Sequence, residues 1–323
     1  MRLIAVEEAF SIPELDRRHP AAGDLGAVPI GRGIARHVAE RLPDLTELRL
    51  EDMDRNGVDV QVLSLGAPGL QIAGLSSAEA VADARFANDY LAKAVAARPD
   101  RFAGFAAVPL QDPEAAAVEL RRAVTELGLR GALVNDHTDG HYLDEPRFDV
   151  FWSALEELDV PLYLHPGAPP LDHWDVLEGS PELVGPTWTW GVQTGGHALR
   201  MLYGGVFDRH PGARLILGHM GEYLPFMISR LDSRYRTMDP VRPLAQLPSH
   251  YIGTNILITV SGVPSPAALA GAVLSIGADA ILFAIDYPWE ETASATTAFA
   301  GAALSEPDRH KIAHSNAERL LRL

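Results

Sequence analysis

The stretch Tyr163-Leu164-His165-Pro166 ends an apolar run that starts at Val160 and breaks off at an imidazole. Two other runs stop in the same manner: residues 215–217 lead through Gly218 to His219, and residues 281–285 lead to Asp286. An ionisable side chain placed where a buried strand emerges is how a parallel barrel builds an active site at its C-terminal face. Glu7 follows the first apolar run, residues 3–6, and supplies a fourth group of this kind. These positions predict that Glu7, His165, His219 and Asp286 meet around one divalent metal ion.

Outward from these ends, strands are expected at residues 3–6, 58–65, 102–110, 131–134, 160–165, 214–217, 256–260 and 281–285. Helical patterns separate them. Residues 44–54 read as a helix stopped by Gly57, and Ser76 with Glu79 forms a capping-box pattern opening a helix toward Arg98. Asp112 caps a helix with Pro113 in its first position and Gly128 at its close. Further helices are expected at residues 148–158, 196–207, 222–235, 292–304 and 307–321. Eight mostly unbroken apolar strands alternating with helices fit a closed (β/α)8 TIM barrel. A doubly wound sheet competes, but no glycine-rich nucleotide fingerprint follows the first strand. Residues 11–43 and 167–191, rich in Pro and Gly, are expected as insertions in a single domain spanning 1–323, the second forming a pocket rim or lid.

Composition narrows the function. With 323 residues, 47% of them hydrophobic, the chain can bury one large core. Its 27 basic against 43 acidic residues give a net charge of −16, which disfavours nucleic acid and anionic membrane surfaces as partners. Having no cysteine, it must hold any metal through nitrogen and oxygen. No apolar run approaches the ~20 residues of a membrane span, and the carboxylate pair Glu7-Glu8 comes too early for a secretory signal, so a cytoplasmic protein is expected.

Adjacent strand residues point to opposite faces, so only one of Glu7 and Glu8 can face the barrel axis. Asp286, finishing an apolar run, would be costly to bury without a cation or hydrogen-bond donors. His219 and Glu222 are spaced so that the carboxylate can orient the imidazole and raise its basicity. Arg230 could bind a substrate carboxylate, and Asn135 offers a neutral donor and acceptor at another strand end. Trp174, Trp188, Trp190, Tyr223, Tyr287 and Trp289 lie beside strand ends and could line a pocket for a flat substrate. His173 belongs to the presumed rim, whereas His197 reads as structural.

The motifs Glu7-Glu8-Ala9-Phe10, Leu164-His165-Pro166, Gly218-His219-Met220-Gly221-Glu222 and Asp286-Tyr287-Pro288 occur in the order found in one family. So do residues 131–136 and the tail Asn316-Ala317-Glu318-Arg319-Leu320. In these the chain resembles the amidohydrolase-related non-oxidative decarboxylases of ortho-hydroxybenzoates. The likeness implies a metal-dependent (β/α)8 barrel without an organic cofactor, assembled as a homodimer or homotetramer and acting on a small aromatic carboxylate. Many relatives open with Glu-x-His, and Ala9 replaces that histidine here; this opening is similar to that of the 2,3-dihydroxybenzoate and salicylate branch. Carried over by motif, Glu7, His165 and Asp286 would bind the ion, with His219, Glu222, Arg230 and Asn135 around the substrate. Two carboxylates and one imidazole favour Mg2+ or Mn2+, with Zn2+ possible. Hydrolysis of a small lactone or amide, and a repurposed barrel without metal chemistry, are the alternatives.

Overall fold

The computed structural model describes residues 1–20, 28, 31–167 and 174–323. Its strands are β1 (Ile4–Phe10), β2 (Val60–Leu65), β3 (Phe102–Gly104), β4 (Ala106–Ala107), β5 (Ala132–Asn135), β6 (Leu162–His165), β7 (Leu215–Leu217), β8 (Ile256–Thr259) and β9 (Ile281–Leu282). All pair in parallel, in the orders β1-β2-β3 and β4-β5-β6-β7-β8-β9. β3 and β4 occupy one barrel position interrupted at Phe105, whose N–H still donates to Leu63 O at 2.9 Å. The last seam closes through Val6 N to Phe283 O at 3.2 Å, Asp286 N to Glu7 O at 3.0 Å and Ala9 N to Tyr287 O at 2.8 Å. A strand buried on both faces tolerates apolar residues at every position, which explains the unbroken runs.

Inside the barrel, Ile4, Val6, Val62, Phe105, Tyr163, Ile216, Leu257 and Ala284 pack together, with Ala317 and Leu321 from the C-terminal helix Asn316–Leu321 against them. A second, larger cluster lies between strands and helices. β1 carries an irregularity between Ala5 and Glu8: Ala5 pairs with Gln61 but Glu8 pairs with Leu63, so three steps on β1 match two on β2. The extra residue is a bulge, which re-aims the side chains beyond it. Val6 and Glu7 therefore both reach the interior, and Glu8 turns outward.

Outside β1, Glu8 accepts N–H bonds from Ile285 at 3.0 Å and Tyr287 at 3.2 Å. Arg49, fully buried, lies on the same side. Its guanidinium donates to Gln61 Oε1 at 2.9 Å, Ala9 O at 2.6 Å and Asp44 O at 3.0 Å, and stacks over the Tyr287 ring at 4.5 Å. Burial raises the Glu8 carboxyl well above its usual range, with Arg49 and the two amides pulling against it.

Local signals place most helices. Ser76 and Glu79 make the capping box of Ser77–Ala97, Asp112 accepts from Ala115 N ahead of Pro113–Thr125, and Gly57 ends Glu47–Asn56 with φ of 70°. Three expectations change. Residues 11–43 contain helices Pro13–Arg18 and Arg32–Arg41, and the helix expected at 196–207 begins earlier, as Thr189–Tyr203. No α-helix starts at Glu222: residues 219–223 form a left-handed turn, and the helix follows as Ile228–Tyr235. Five successive residues with positive φ cannot be read from composition, because only Gly221 among them advertises that conformation. His173 and the insertion residues 21–27, 29–30 and 168–172 lie outside the described residues.

Replacing Arg49 by Met should destabilise the fold by about 3–5 kcal/mol, since it strips the nearby cation from buried Glu8 and leaves several acceptors unpaired. Urea unfolding followed by circular dichroism checks this. A loss within about 0.5 kcal/mol, as expected for an ordinary surface change, would remove this layer from the account of stability.

Candidate active site

The site sits at the C-terminal ends of β1, β6 and β7 and on the segment after β9. Glu7 is buried, and one of its carboxylate oxygens, Oε2, accepts from the hydroxyls of Tyr163, Ser261 and, at 3.1 Å, Thr259. Burial and the adjacent carboxylate push the Tyr163 phenol well above its usual range, so it remains a proton-bearing donor. The other oxygen, Oε1, is buried without a hydrogen-bond partner among the described residues. It lies 3.7 Å from His165 Nε2 and 3.5 Å from His219 Nε2. Gly218 makes room for it, because a Cβ there would fall 2.8 Å from Oε1.

The two imidazoles differ in protonation. His165 Nδ1 lies 2.8 Å from Pro166 O, a group that only accepts, so Nδ1 carries the hydrogen and Nε2 presents a lone pair. Burial holds His165 below the usual imidazole range despite Glu7. His219 Nδ1 is 2.7 Å from Glu222 Oε1, and its Nε2 is 3.6 Å from Asp286 Oδ2. Burial disfavours charge on His219, but Glu7, Glu222 and Asp286 outweigh it and raise the imidazole well above its usual range. Burial raises Glu222 as well, and it pushes Asp286 up to about 7.

The backbone holding these groups is strained. His219, Met220, Glu222, Tyr223 and Asp286 have φ of 49°, 58°, 49°, 68° and 77°. Each such non-glycine residue costs on the order of 1–3 kcal/mol, and such strain gathers at functional sites. Ser261 Oγ accepts from His219 N at 3.0 Å, and a Cβ on Gly262 would lie 2.8 Å from the His219 ring. The first holds the His219 backbone and the second leaves room for its ring.

The chemistry of the donors fits a divalent cation. An unpaired carboxylate oxygen facing an imidazole lone pair inside a protein is unfavourable until a positive ion lies between them. Glu7, His165 and His219 each offer one donor atom within 4.8 Å of the others. Asp286 joins them through His219.

Of the remaining expected residues, Asn135 lines the same pocket as Glu7, His165 and Asp286, and its side-chain oxygen is buried without a partner. Behind it, His197 accepts from Leu143 N at 2.9 Å, so its Nδ1–H donates to Asp136 at 2.6 Å: a structural pair, as read. Trp188 is exposed at the rim, 6.1 Å from the Tyr223 ring. Tyr287 packs beneath Arg49 rather than in the pocket, on the outer side where its N–H donates to Glu8. Arg230 is exposed on helix Ile228–Tyr235 and does not line the pocket. Tyr163, Ser64, Thr259, Ser261 and Trp289 also contribute, and sequence reasoning did not single out the first four. Tyr163 was within reach, since it stands two residues before His165 on one strand and so shares its face. Thr259 and Ser261 are hydroxyls at a strand end, a weaker signal.

The model of the amidohydrolase family matches residues 17–323. The gamma-resorcylate decarboxylase of Rhodococcus jostii (strain RHA1) is 43% identical over 332 residues, covering 99% of this chain and 98% of the relative. The crystal structure of 2,6-dihydroxybenzoate decarboxylase from Rhizobium superposes with a TM-score of 0.91 at 42% identity, covering 100% of this chain and 99% of that one. A dihydroxybenzoic acid decarboxylase from Polaromonas sp. JS666, solved with manganese and the inhibitor 2-nitroresorcinol, gives 0.92 at 39% identity, with coverage of 100% and 97%. A match over nearly the whole length, on a barrel with acid and imidazole donors at its C-terminal mouth, leaves one conclusion: this chain belongs to the amidohydrolase family.

Proposed function

We propose that this protein releases the carboxyl group of an ortho-hydroxybenzoate as CO2 without oxidation, with 2,3-dihydroxybenzoate or a salicylate-like acid as substrate. Glu7 Oε1 carries this proposal, because a buried oxygen without a partner beside the His165 lone pair calls for a cation. Glu7 and His165 would hold a divalent ion, Mn2+ or Mg2+, whose charge favours the phenolate form of the substrate, and Asp286, 3.6 Å from His219, is kept for proton transfer. The decarboxylase names of the relatives, and the manganese in one of their structures, support the substrate class and the ion.

The protein's own groups then follow the demands of the reaction. Direct loss of CO2 from a benzoate would leave an aryl carbanion, so the ring carbon bearing the carboxylate must be protonated first. With the Glu7 charge answered by the ion, the largest influence holding a proton on His219 would be removed, and its Nε2 could take the proton of the ortho hydroxyl while Glu222 holds Nδ1–H and stabilises the resulting imidazolium. The phenolate electrons move into the ring, and the ring carbon takes a proton from Asp286. Burial pushes this carboxyl up to about 7, so it exchanges a proton near neutral pH. The carbon–carbon bond then breaks, its electron pair restores the aromatic ring, and CO2 departs. His219, 3.6 Å from Asp286, returns the proton to the carboxylate left behind. Asn135 supplies a neutral amide at the pocket wall.

Two measurements test this. Protein stripped with a chelator should lose CO2 release from a panel of 2,3-dihydroxybenzoate, salicylate and 2,6-dihydroxybenzoate, and Mn2+ or Mg2+ should restore it. Consumption of a lactone with no CO2 from any benzoate would replace the proposal with hydrolysis. Separately, His219→Ala and Asp286→Asn should each lower kcat by about a hundredfold to ten-thousandfold, the usual range for losing a general acid or base. Near-normal turnover in both would sink the assigned roles.

A further inference from the structure

We infer that a cavity beside the catalytic pocket is a second substrate subsite, one that takes a neutral, apolar substituent on the benzoate ring; this deepens, and rests on, the decarboxylase proposal. The free space directly over Glu7 and His165 is about 10 Å3, whereas the adjoining cavity is about 580 Å3. Leu65, Gly66, Ala67 and Trp289 wall both, so a ring whose carboxylate reaches Glu7 and His165 projects into the larger space. Cavities of roughly 300–1,000 Å3 hold drug-sized ligands, which is far more room than a ring hydroxyl needs.

The far wall comes from the first insertion, through Leu15 of helix Pro13–Arg18 and Val38 of helix Arg32–Arg41. Those two side chains are buried, so each helix anchors one residue at the wall. Its charged groups argue against an anionic substituent. Asp16 lines the cavity and repels a second carboxylate, and the neighbouring His19 imidazole is committed to Asp83 at 2.6 Å. An alkyl chain meets neither objection. Burying each methylene strengthens binding by about fourfold.

The test uses Mn2+-loaded protein and two independent readouts. In calorimetry, a pentylphenol should bind at least about tenfold more tightly than phenol. In CO2 release, at least one 2-hydroxybenzoate from a set carrying a pentyl chain at each free ring position should exceed salicylate in kcat/KM by a similar factor. Ala39→Phe and, as a second variant, Ala35→Phe narrow the cavity from the insertion helix and should each erase both advantages; thermal melting confirms that they fold. Equal binding of the two phenols, or an advantage that survives both substitutions, overturns the subsite. Tight pentylphenol binding that both substitutions erase, with no CO2 from any acid, upholds the cavity as an apolar binding site and overturns the decarboxylase proposal instead.

Discussion

The carboxylate of Glu7 organises this molecule. It is buried among barrel side chains, and three hydroxyls from β6, β8 and the segment after β8 converge on one of its oxygens while the other has no partner. Removing a carboxylate from water is costly unless its charge is answered. Three hydroxyls answer half of it, and the remaining half faces two imidazoles. The β1 bulge that turns Glu7 inward, and the bare Cα of Gly218 that leaves space for it, are both explained by this requirement.

Around that carboxylate the two halves of the barrel have different tasks. At the lower end, β-strand side chains and the helix Asn316–Leu321 form a dry, interdigitated plug. At the upper end the chain accepts successive left-handed residues to aim His219 and Glu222. Strain of several kcal/mol there must be offset elsewhere, and the closely packed lower barrel and helix layer are where burial supplies it. Burial also sets the protonation pattern: it holds His165 below and Asp286 above their usual ranges, while the surrounding carboxylates raise His219. One largely buried pocket thus brings an imidazole lone pair, a proton-exchanging carboxyl and a proton-holding imidazole together.

The outward-facing twin of the site residue matters as well. Glu8 differs from Glu7 by one step along β1, yet it is answered by two amides and by Arg49, whose guanidinium also ties β1 and β2 to the segment from Asp44. Tyr287 belongs to this outer layer, which is why an aromatic residue next to Asp286 does not reach the pocket.

Much of this was written locally. The apolar runs ending in His165, His219 and Asp286 specify strands that must be buried on both faces, and the caps at Ser76, Asp112 and Gly57 set helix ends through bonds between near neighbours. Family motifs placed Glu7, His165 and Asp286 in one site, because each motif holds its residue at a strand end. Composition did not reveal which of Glu7 and Glu8 turns inward, the left-handed turn at 219–223, the outward placement of Tyr287 and Arg230, or the large cavity under the first insertion. Each of these depends on partners far away in the chain: a bulge is defined only by the opposing strand, strain persists only where surrounding packing enforces it, and a cavity is the space between elements. The sequence determines which segments bury and where they stop; only the closed barrel decides which side chains then meet, because closure brings together strands that are hundreds of residues apart.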